Sequence, residues 1–471
     1  MSAADDADPA ELEINAWTGA SGSPRGGLSP TGLDWGLQQH AESAPQLLVA
    51  EEPPDLREWR DERVGWGVIA ADNDDLTVED RAAGKDLPES LRTLVEEREG
   101  AQVFRYREDL GVGYLRVYDA RGNEATIGAG GGGERGHGTG RLPRYLLIYG
   151  PPTAVPWKLQ YALNPVSFVG RLDLPVDALD LYIEALRSDW RGADADVRRP
   201  LVWAVDHGSG DITTLMRQVV AEPISRRFQS DDDLRDGAVH LAGVAATAEE
   251  LATRLAAEKP GLVVTTSHGA IVADSLGLLV DQSGSVVQPG TLLARWQPNG
   301  AIWYAQACCS AGSDGENRYR GLAADGSPLE RTLNSVAALG AHTALLPTAL
   351  LSATPPLRAF VGHVEPTFNW TLRDPTTGQI LSAGIADAIY SGMYRARPEP
   401  VGLALRPHFE PTSQLWTDWW EAKRTATQGA SKDERDAAQQ RALQMQLTVL
   451  DRQGMVILGD PTACLPSALA R

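Results

Sequence analysis

From residue 144 onward, short apolar runs alternate with stretches of helical spacing. The runs at 145–149, 201–205, 239–244, 262–266, 302–307 and 359–361 each predict a strand. Between them, 176–190, 213–220, 248–257, 329–339 and 380–395 carry apolar positions at helical spacing. The 279–287 stretch, with Ser283-Gly284 between two apolar runs, predicts a hairpin. Strands separated by helices point to an α/β domain with a largely parallel sheet.

The flanks read differently. Residues 1–45 are rich in Gly, Ser, Pro and Ala, which predicts a flexible or loosely packed start. Next come a helical stretch at 87–98, a strand pattern at 114–118 and a Gly-rich run at 128–140, expected to be a linker or mobile loop. Beyond 396, a Trp416, Trp419 and Trp420 cluster precedes a charged helical stretch at 432–445 and an apolar run at 455–458. The expected organisation is an N-terminal region (1–143), an α/β domain (144–395) and a C-terminal tail packed on the core (396–471).

Composition narrows the function classes. The chain has 471 residues, is 42% hydrophobic and 23% charged, and carries a formal net charge of -20. That charge disfavours nucleic acid and anionic membranes as partners, because phosphate binding needs clustered Lys and Arg. No apolar run is long enough to predict a membrane span. Met1 to Pro9 lacks a basic n-region and an apolar h-region, so no signal peptide is expected. Three cysteines, Cys308, Cys309 and Cys464, give no disulfide framework and fit a reducing, cytoplasmic setting.

Two segments carry chemistry. In one, Val263-Val264-Thr265-Thr266-Ser267-His268-Gly269, a buried strand runs into His-Gly. In the other, Trp303-Tyr304-Ala305-Gln306-Ala307-Cys308-Cys309-Ser310-Ala311-Gly312, a buried strand runs into Cys-Cys. A thiolate is the nucleophile, and a neighbouring imidazole can take its proton and later protonate a leaving amine. Adjacent parallel strands end on one side of a sheet, where α/β folds place ligands. His268 and Cys309 are therefore the candidate dyad. Gly269 has no side chain, so its amide can approach a reacting carbonyl and form an oxyanion hole with the amide of Cys309.

These segments resemble the clan of caspases, metacaspases, clostripain, gingipains and CHAT proteases, in which one strand ends in His-Gly and the next in an Ala-Cys-type motif. Gln306-Ala307-Cys308 matches the first half of the caspase pattern, but no Gly follows at the expected step. Cys309-Ser310-Ala311-Gly312 matches the Cys-x-x-Gly form of the other members. Metacaspases often carry a Cys-Cys pair and use the second, which implies Cys309 rather than Cys308. The two motifs lie roughly 40 residues apart, against about 50 in caspases. Phe360-Val361-Gly362-His363-Val364-Glu365 is similar to the strand and turn after the cysteine in gingipain-like relatives, and Pro156 to Tyr161 with Val169 to Leu172 is similar to other members of that group.

The resemblance covers about 144–395. It implies a caspase-like three-layer sandwich with a mostly parallel six-stranded sheet. It also implies a regulated bacterial cysteine endopeptidase that cleaves protein or peptide substrates through an acyl-enzyme, without cofactor or catalytic metal. The resemblance leaves room for an activating protein partner. Members with Arg or Lys preference carry an Asp two residues before the nucleophile. Here that position is Ala307, and only the acidic overall charge leans toward a basic P1 residue. The loop at 313–328 follows the nucleophile, and in relatives such loops shape the cleft or are cut on activation.

Other features have plainer readings. His207 also follows a strand, in Val205-Asp206-His207-Gly208, but with a further strand between it and the Cys motif. It is the second candidate for the base, and Asp206, Gln306, Cys308 and His363 are candidates to lie beside the site. The Gly128–Gly133 run has no following helix and no GK[ST], so no nucleotide loop is expected, and the neighbouring His137 should be solvated. Asp231-Asp232-Asp233 reads as a solvated loop, the Trp cluster as a packing face, and no His/Cys set has zinc spacing. The competing reading is a caspase-fold binding or scaffold module without catalysis.

Overall fold

Leu262–Thr266 is a run of apolar and β-branched residues, every one buried, and it forms a strand because its side chains fill both faces of a sheet. Ile302–Gln306 and Ala359–His363 are likewise buried throughout, each with a polar last residue. The computed structural model describes residues 54–119, 121–272, 275–394 and 397–468, with 11–13, 16–17, 25–27, 29 and 31–38 before them. Most of the start expected to be flexible, 1–45, lies outside the described residues. In chain order, the strands used below are β1 (Trp66–Ala71), β2 (Gln102–Tyr106), β3 (Tyr114–Tyr118), β4 (Glu124–Gly128), β5 (Tyr145–Tyr149), β6 (Phe168–Leu172) and β7 (Leu201–Ala204). They continue with β8 (Val239–Ala242), β9 (Leu262–Thr266), β10 (Gly269–Val272), β11 (Ser275–Leu279), β12 (Ile302–Gln306), β13 (Ala359–His363) and β14 (Met455–Gly459).

Among the described residues, twelve strands share one sheet, in the order β8-β7-β9-β12-β13-β14-β6-β5-β1-β2-β3-β4. The fold is α/β with a large, mostly parallel sheet. The sheet is wider than the six strands expected between 144 and 362. Five of those six lie side by side as β8, β7, β9, β12 and β13, and all run parallel. The sixth, β5, is separated from them by β14 and β6. The tail strand β14 is fully buried, antiparallel to β13 and parallel to β6. It joins two parallel blocks of opposite direction, because β6, β5, β1 and β2 are parallel to one another.

Side-chain alternation along the strands gives each face its own core. From β1 and β5, Trp66, Val68, Tyr145 and Leu147 pack with Leu91, Leu94, Leu179 and Tyr182 of helices Glu89–Glu97 and Val176–Arg187. Ile69, Leu146 and Ile148 pack on the other face with Leu159 and Leu163 of helix Trp157–Leu163. A third cluster lies against the Cys-Cys turn and draws on helices Pro328–Ala338 and Lys432–Gly454.

Two local expectations, for the Gly-rich run and for His137, change. The 279–287 hairpin is present as a short antiparallel pairing, with a Val280–Val286 bridge and Val287 N–H donating to Leu279 O at 2.8 Å, and a longer hairpin pairs β10 with β11 just before it. Asp281 organises the turn by accepting the N–H of Ser283 at 2.8 Å and of Ser285 at 2.9 Å. The Gly-rich run follows β4 and is tied down by Arg135, which donates to Gly130 O at 2.7 Å and Ser167 Oγ at 3.0 Å. His137 is half-buried, not solvated: its Nε2 accepts the N–H of Trp66 at 2.9 Å, where β1 begins. Trp416, Trp419 and Trp420 pack together, with Trp419 fully buried and donating to Gly36 O. Among the described residues, no helix is long and apolar enough to cross a membrane.

Candidate active site

Strands β9 and β12 are parallel neighbours, and Thr266 pairs with Gln306 in their register. His268 and Cys308 each stand two residues past that pair, so the two turns leave the sheet at one rim. They also touch. A Cβ on Gly269 would lie 1.9 Å from Cys308 O, a separation only glycine permits. Ser267 N–H donates to Gln306 O at 3.2 Å and fastens the turns together. On the far side, a Cβ on Gly277 would lie 2.3 Å from Cys309 O, so β11 rests on the Cys-Cys turn.

Cys309 has φ +55°, the left-handed region that non-glycine residues enter rarely and often at functional sites. Its amide donates to Glu365 O at 3.3 Å, so an oxyanion role for that amide requires it to leave this carbonyl. Cys308 has a different setting: its Sγ accepts the N–H of Thr367 at 3.1 Å. Gln306 Oε1 accepts from the Tyr304 hydroxyl, and its Nε2 donates to Thr367 Oγ1 at 3.4 Å. Cys308 and Gln306 thus fasten the turn to the segment after β13.

His268 is fully buried, and its Nε2 lies 2.9 Å from Asp211 Oδ2. Asp211 was not among the residues expected from sequence. It caps the short helix Ile212–Met216, where Oδ1 accepts the Thr213 N–H at 2.9 Å and the Thr213 hydroxyl at 2.6 Å. Burial works against the Asp211 charge, but the hydrogen bond and charge of His268 and the Thr213 donors outweigh it and hold the carboxyl well below its ordinary range. When the His268 ring is neutral, an ionised Asp211 accepting from Nε2–H leaves the basic lone pair on Nδ1.

His207 stands beside His268. Its ring stacks on that of His268, with centroids 5.4 Å apart and planes 9° from parallel, and its Nε2 contacts Asp281 O at 3.0 Å. Asp206 faces the other way: it pairs with Arg217 Nε at 2.9 Å and accepts the Gly208 N–H at 3.0 Å, which shapes the 206–214 loop. His363 ends β13 at the same rim, but its Nδ1 lies 3.9 Å from Asp451 Oδ1. Burial lowers the His363 pKa and raises that of Asp451, and the charge of each partner works against the shift of the other.

The surroundings of Cys309 do not favour a thiolate. Cys309 is 3% exposed, and burial pushes its thiol well above the ordinary value, with Cys308 and Glu365 adding to the rise. Glu365 is itself buried, and its Oε1 has no hydrogen-bond partner among the described residues. Burial raises its carboxyl to about 8, against the pull of Arg318.

His207, Asp211 and His268 bring ligand atoms within 4.8 Å of one another. The His207 and His268 rings are stacked, and the Asp211 carboxylate lies 2.9 Å from His268 Nε2. A separate crevice of about 780 Å³ lies at the carboxyl ends of β1 and β2, lined by Asp72, Asp74, Arg107 and Asp109 among others. It belongs to the other parallel block.

No protein-family model matches the chain, and no curated protein matches it in sequence.

Proposed function

We propose that this chain is a cysteine endopeptidase of caspase-like fold, with Cys309 as nucleophile and His268 as acid/base. The observation that carries the reading is the contact between the two turns, Gly269 against Cys308, at the carboxyl ends of neighbouring parallel strands. The 2.9 Å contact of Asp211 with His268 adds to it, because an oriented, charge-supported imidazole is what a thiol nucleophile needs. The left-handed backbone of Cys309 and the structural hydrogen bond to Cys308 Sγ favour the second cysteine. The block β8-β7-β9-β12-β13-β14, five strands parallel and the last antiparallel, supports a six-stranded, mostly parallel caspase-like unit that takes its sixth strand from the tail.

In the proposed reaction, His268 Nδ1 takes the thiol proton and the Cys309 sulfur attacks the scissile carbonyl carbon. The carbonyl oxygen gathers negative charge beside the amides of Gly269 and Cys309. The C–N bond then breaks as His268 returns the proton to the leaving amine. Water, deprotonated by His268, adds to the thioester and releases the acid and the free thiol. Asp211 keeps the ring in the tautomer that makes each transfer reach Nδ1.

A second reading, a binding or scaffold module, is favoured by one observation: Cys309 and His268 are almost entirely covered. An electrophilic peptide probe separates the two. Labelling of Cys309 that His268→Ala abolishes supports the enzyme. Absence of selective labelling under any condition that exposes the thiol overturns it. A peptide-library digest with identified cut sites would then define the P1 residue.

A further inference from the structure

Part of the chain's own N-terminal segment pairs with the strand that follows His268. Strand β10 begins at Gly269, the residue after His268. One edge of β10 pairs with β11. Its other edge is taken by Ala16–Trp17, parallel, with Ala16 opposite Gly269 and Trp17 opposite Ala270. An extended dipeptide from far upstream thus lies against the residue whose α-carbon touches Cys308.

The pieces on either side of this dipeptide are anchored at the same rim. Glu11–Glu13 and Arg25–Gly27 pair antiparallel. The first packs on helix Asn369–Leu372, just after the Thr367 that binds Cys308 Sγ, and the second on helix Pro328–Ala338. Ser29 then donates its N–H to Leu322 O at 3.2 Å and its hydroxyl to Gly321 O at 2.8 Å. Trp35 joins the apolar cluster that contains Cys308, Cys309 and Leu276 of β11.

A sheet edge recognises a peptide through main-chain hydrogen bonds, which any extended segment supplies, and leaves side-chain pockets to choose among segments. An edge that starts one residue from the proposed base is placed to lay an extended peptide across the nucleophile. We propose that the Gly269–Ala270 edge is the docking edge for an extended peptide, and that Ala16–Trp17 occupies it as a built-in, displaceable cover. This rests on the peptidase reading above and adds its regulation. The resting chain is latent, and opening means removing the N-terminal strand from β10. On this proposal the displacement also opens Cys309 to solvent, where a thiol ionises more readily.

The test uses the full chain carrying Ala16→Pro and Trp17→Pro together, which removes both backbone donors and disfavours strand pairing. The rate of iodoacetamide modification is read at each cysteine by mass spectrometry, with Cys464 as the internal reference. The expected result is modification of Cys309 faster by about tenfold or more, unchanged modification of Cys464, and slowing back toward the wild-type rate by an excess of a peptide copying residues 11–20. An unchanged rate at Cys309, a parallel rise at Cys464, or no effect of the peptide would overturn the cover. A measurement on the unmodified protein guards against a variant that misfolds: backbone amides of 16–17 should exchange with deuterium more slowly than those of an open chain, and open-chain exchange would overturn the proposal. The two readings fail separately. Fast, peptide-blocked labelling without any hydrolysis keeps the cover and removes the peptidase. Equal hydrolysis by wild type and variant keeps the peptidase and removes the cover.

Discussion

Asp211 and His268, 57 residues apart in sequence, stand 2.9 Å apart between Oδ2 and Nε2. The carboxylate sits at a helix start and is held there by Thr213, so the imidazole is fixed from outside its own strand. Asp211→Asn preserves the shape, removes the charge and frees the tautomer. It should lower peptide hydrolysis and Cys309 labelling by about 10²- to 10⁴-fold. The stability effect should be smaller and pH-dependent. The Asp211 carboxyl is held low when folded, so its contribution is present above its unfolded pKa of about 3.9 and is lost as pH falls through the folded value. Denaturant midpoints of wild type and Asp211→Asn should therefore differ near neutrality and converge in acid. A variant with full activity would remove Asp211 from the machinery.

The two cysteines should separate cleanly. Cys309→Ala should abolish labelling by an electrophilic peptide and cost little stability beyond the lost packing of one sulfur. Cys308→Ala should keep the labelling once the site is open, but it strands the buried Thr367 N–H, which now donates to Cys308 Sγ at 3.1 Å. That loss is worth about 1–3 kcal/mol. Probe mass spectrometry and urea titration on both variants check this. The opposite assignment, with labelling lost only in Cys308→Ala, would move the nucleophile by one residue.

Much of the rim was legible because its strands are plain. Leu262–Thr266 and Ile302–Gln306 are buried on both faces and read as largely apolar or β-branched runs, each leading into a turn that carries a reactive residue. Strand β6 was not legible. Gly170 and Arg171 interrupt its apolar run, yet both are required where they stand. A Cβ on Gly170 would meet Gly459 O at 2.0 Å, and the buried Arg171 guanidinium donates to Gly150 O at 2.9 Å and Val155 O at 2.8 Å. Met455–Gly459 was visible as an apolar run, but residue periodicity does not encode its insertion between β13 and β6. Asp211 carried only the signal of an Asp before Thr213 at a helix start, which marks a cap. Its second partner, His268, comes from tertiary placement of the β7 loop beside β9.

Gly269→Ala tests the contact on which the site depends. The added methyl would lie 1.9 Å from Cys308 O, a backbone atom that cannot turn away, so the two turns must separate. The expected cost is about 1–3 kcal/mol, with loss of probe labelling at Cys309 even when the N-terminal strand is displaced. Gly290→Ala is the matched control. It lies in helix Pro289–Leu293 with nothing within 4 Å of its added Cβ, and should be neutral or slightly stabilising. A neutral Gly269→Ala would mean that the turns are not in contact.

Glu365 makes a prediction about pH. Its carbonyl accepts from Cys309, while its side chain is buried and its carboxyl is raised to about 8 by that burial. An unfolded glutamate ionises near 4.3. Between those values the folded chain keeps a proton that the unfolded chain has released, so stability falls as pH rises, by about 1.4 kcal/mol per pH unit for one group. Wild-type stability should therefore decline from mildly acid to mildly alkaline pH. Glu365→Gln, which imitates the neutral acid, should match wild type near pH 5 and exceed it near pH 8. The same substitution removes a negative charge that raises the Cys309 thiol pKa, so labelling of an opened site at alkaline pH should also quicken. Urea midpoints across this range check the first part and alkylation rates the second. A wild-type profile that rises through the window, with Glu365→Gln running parallel to it, would mean that the carboxyl is ionised and solvated, and that the segment after β13 does not seal the cysteine turn.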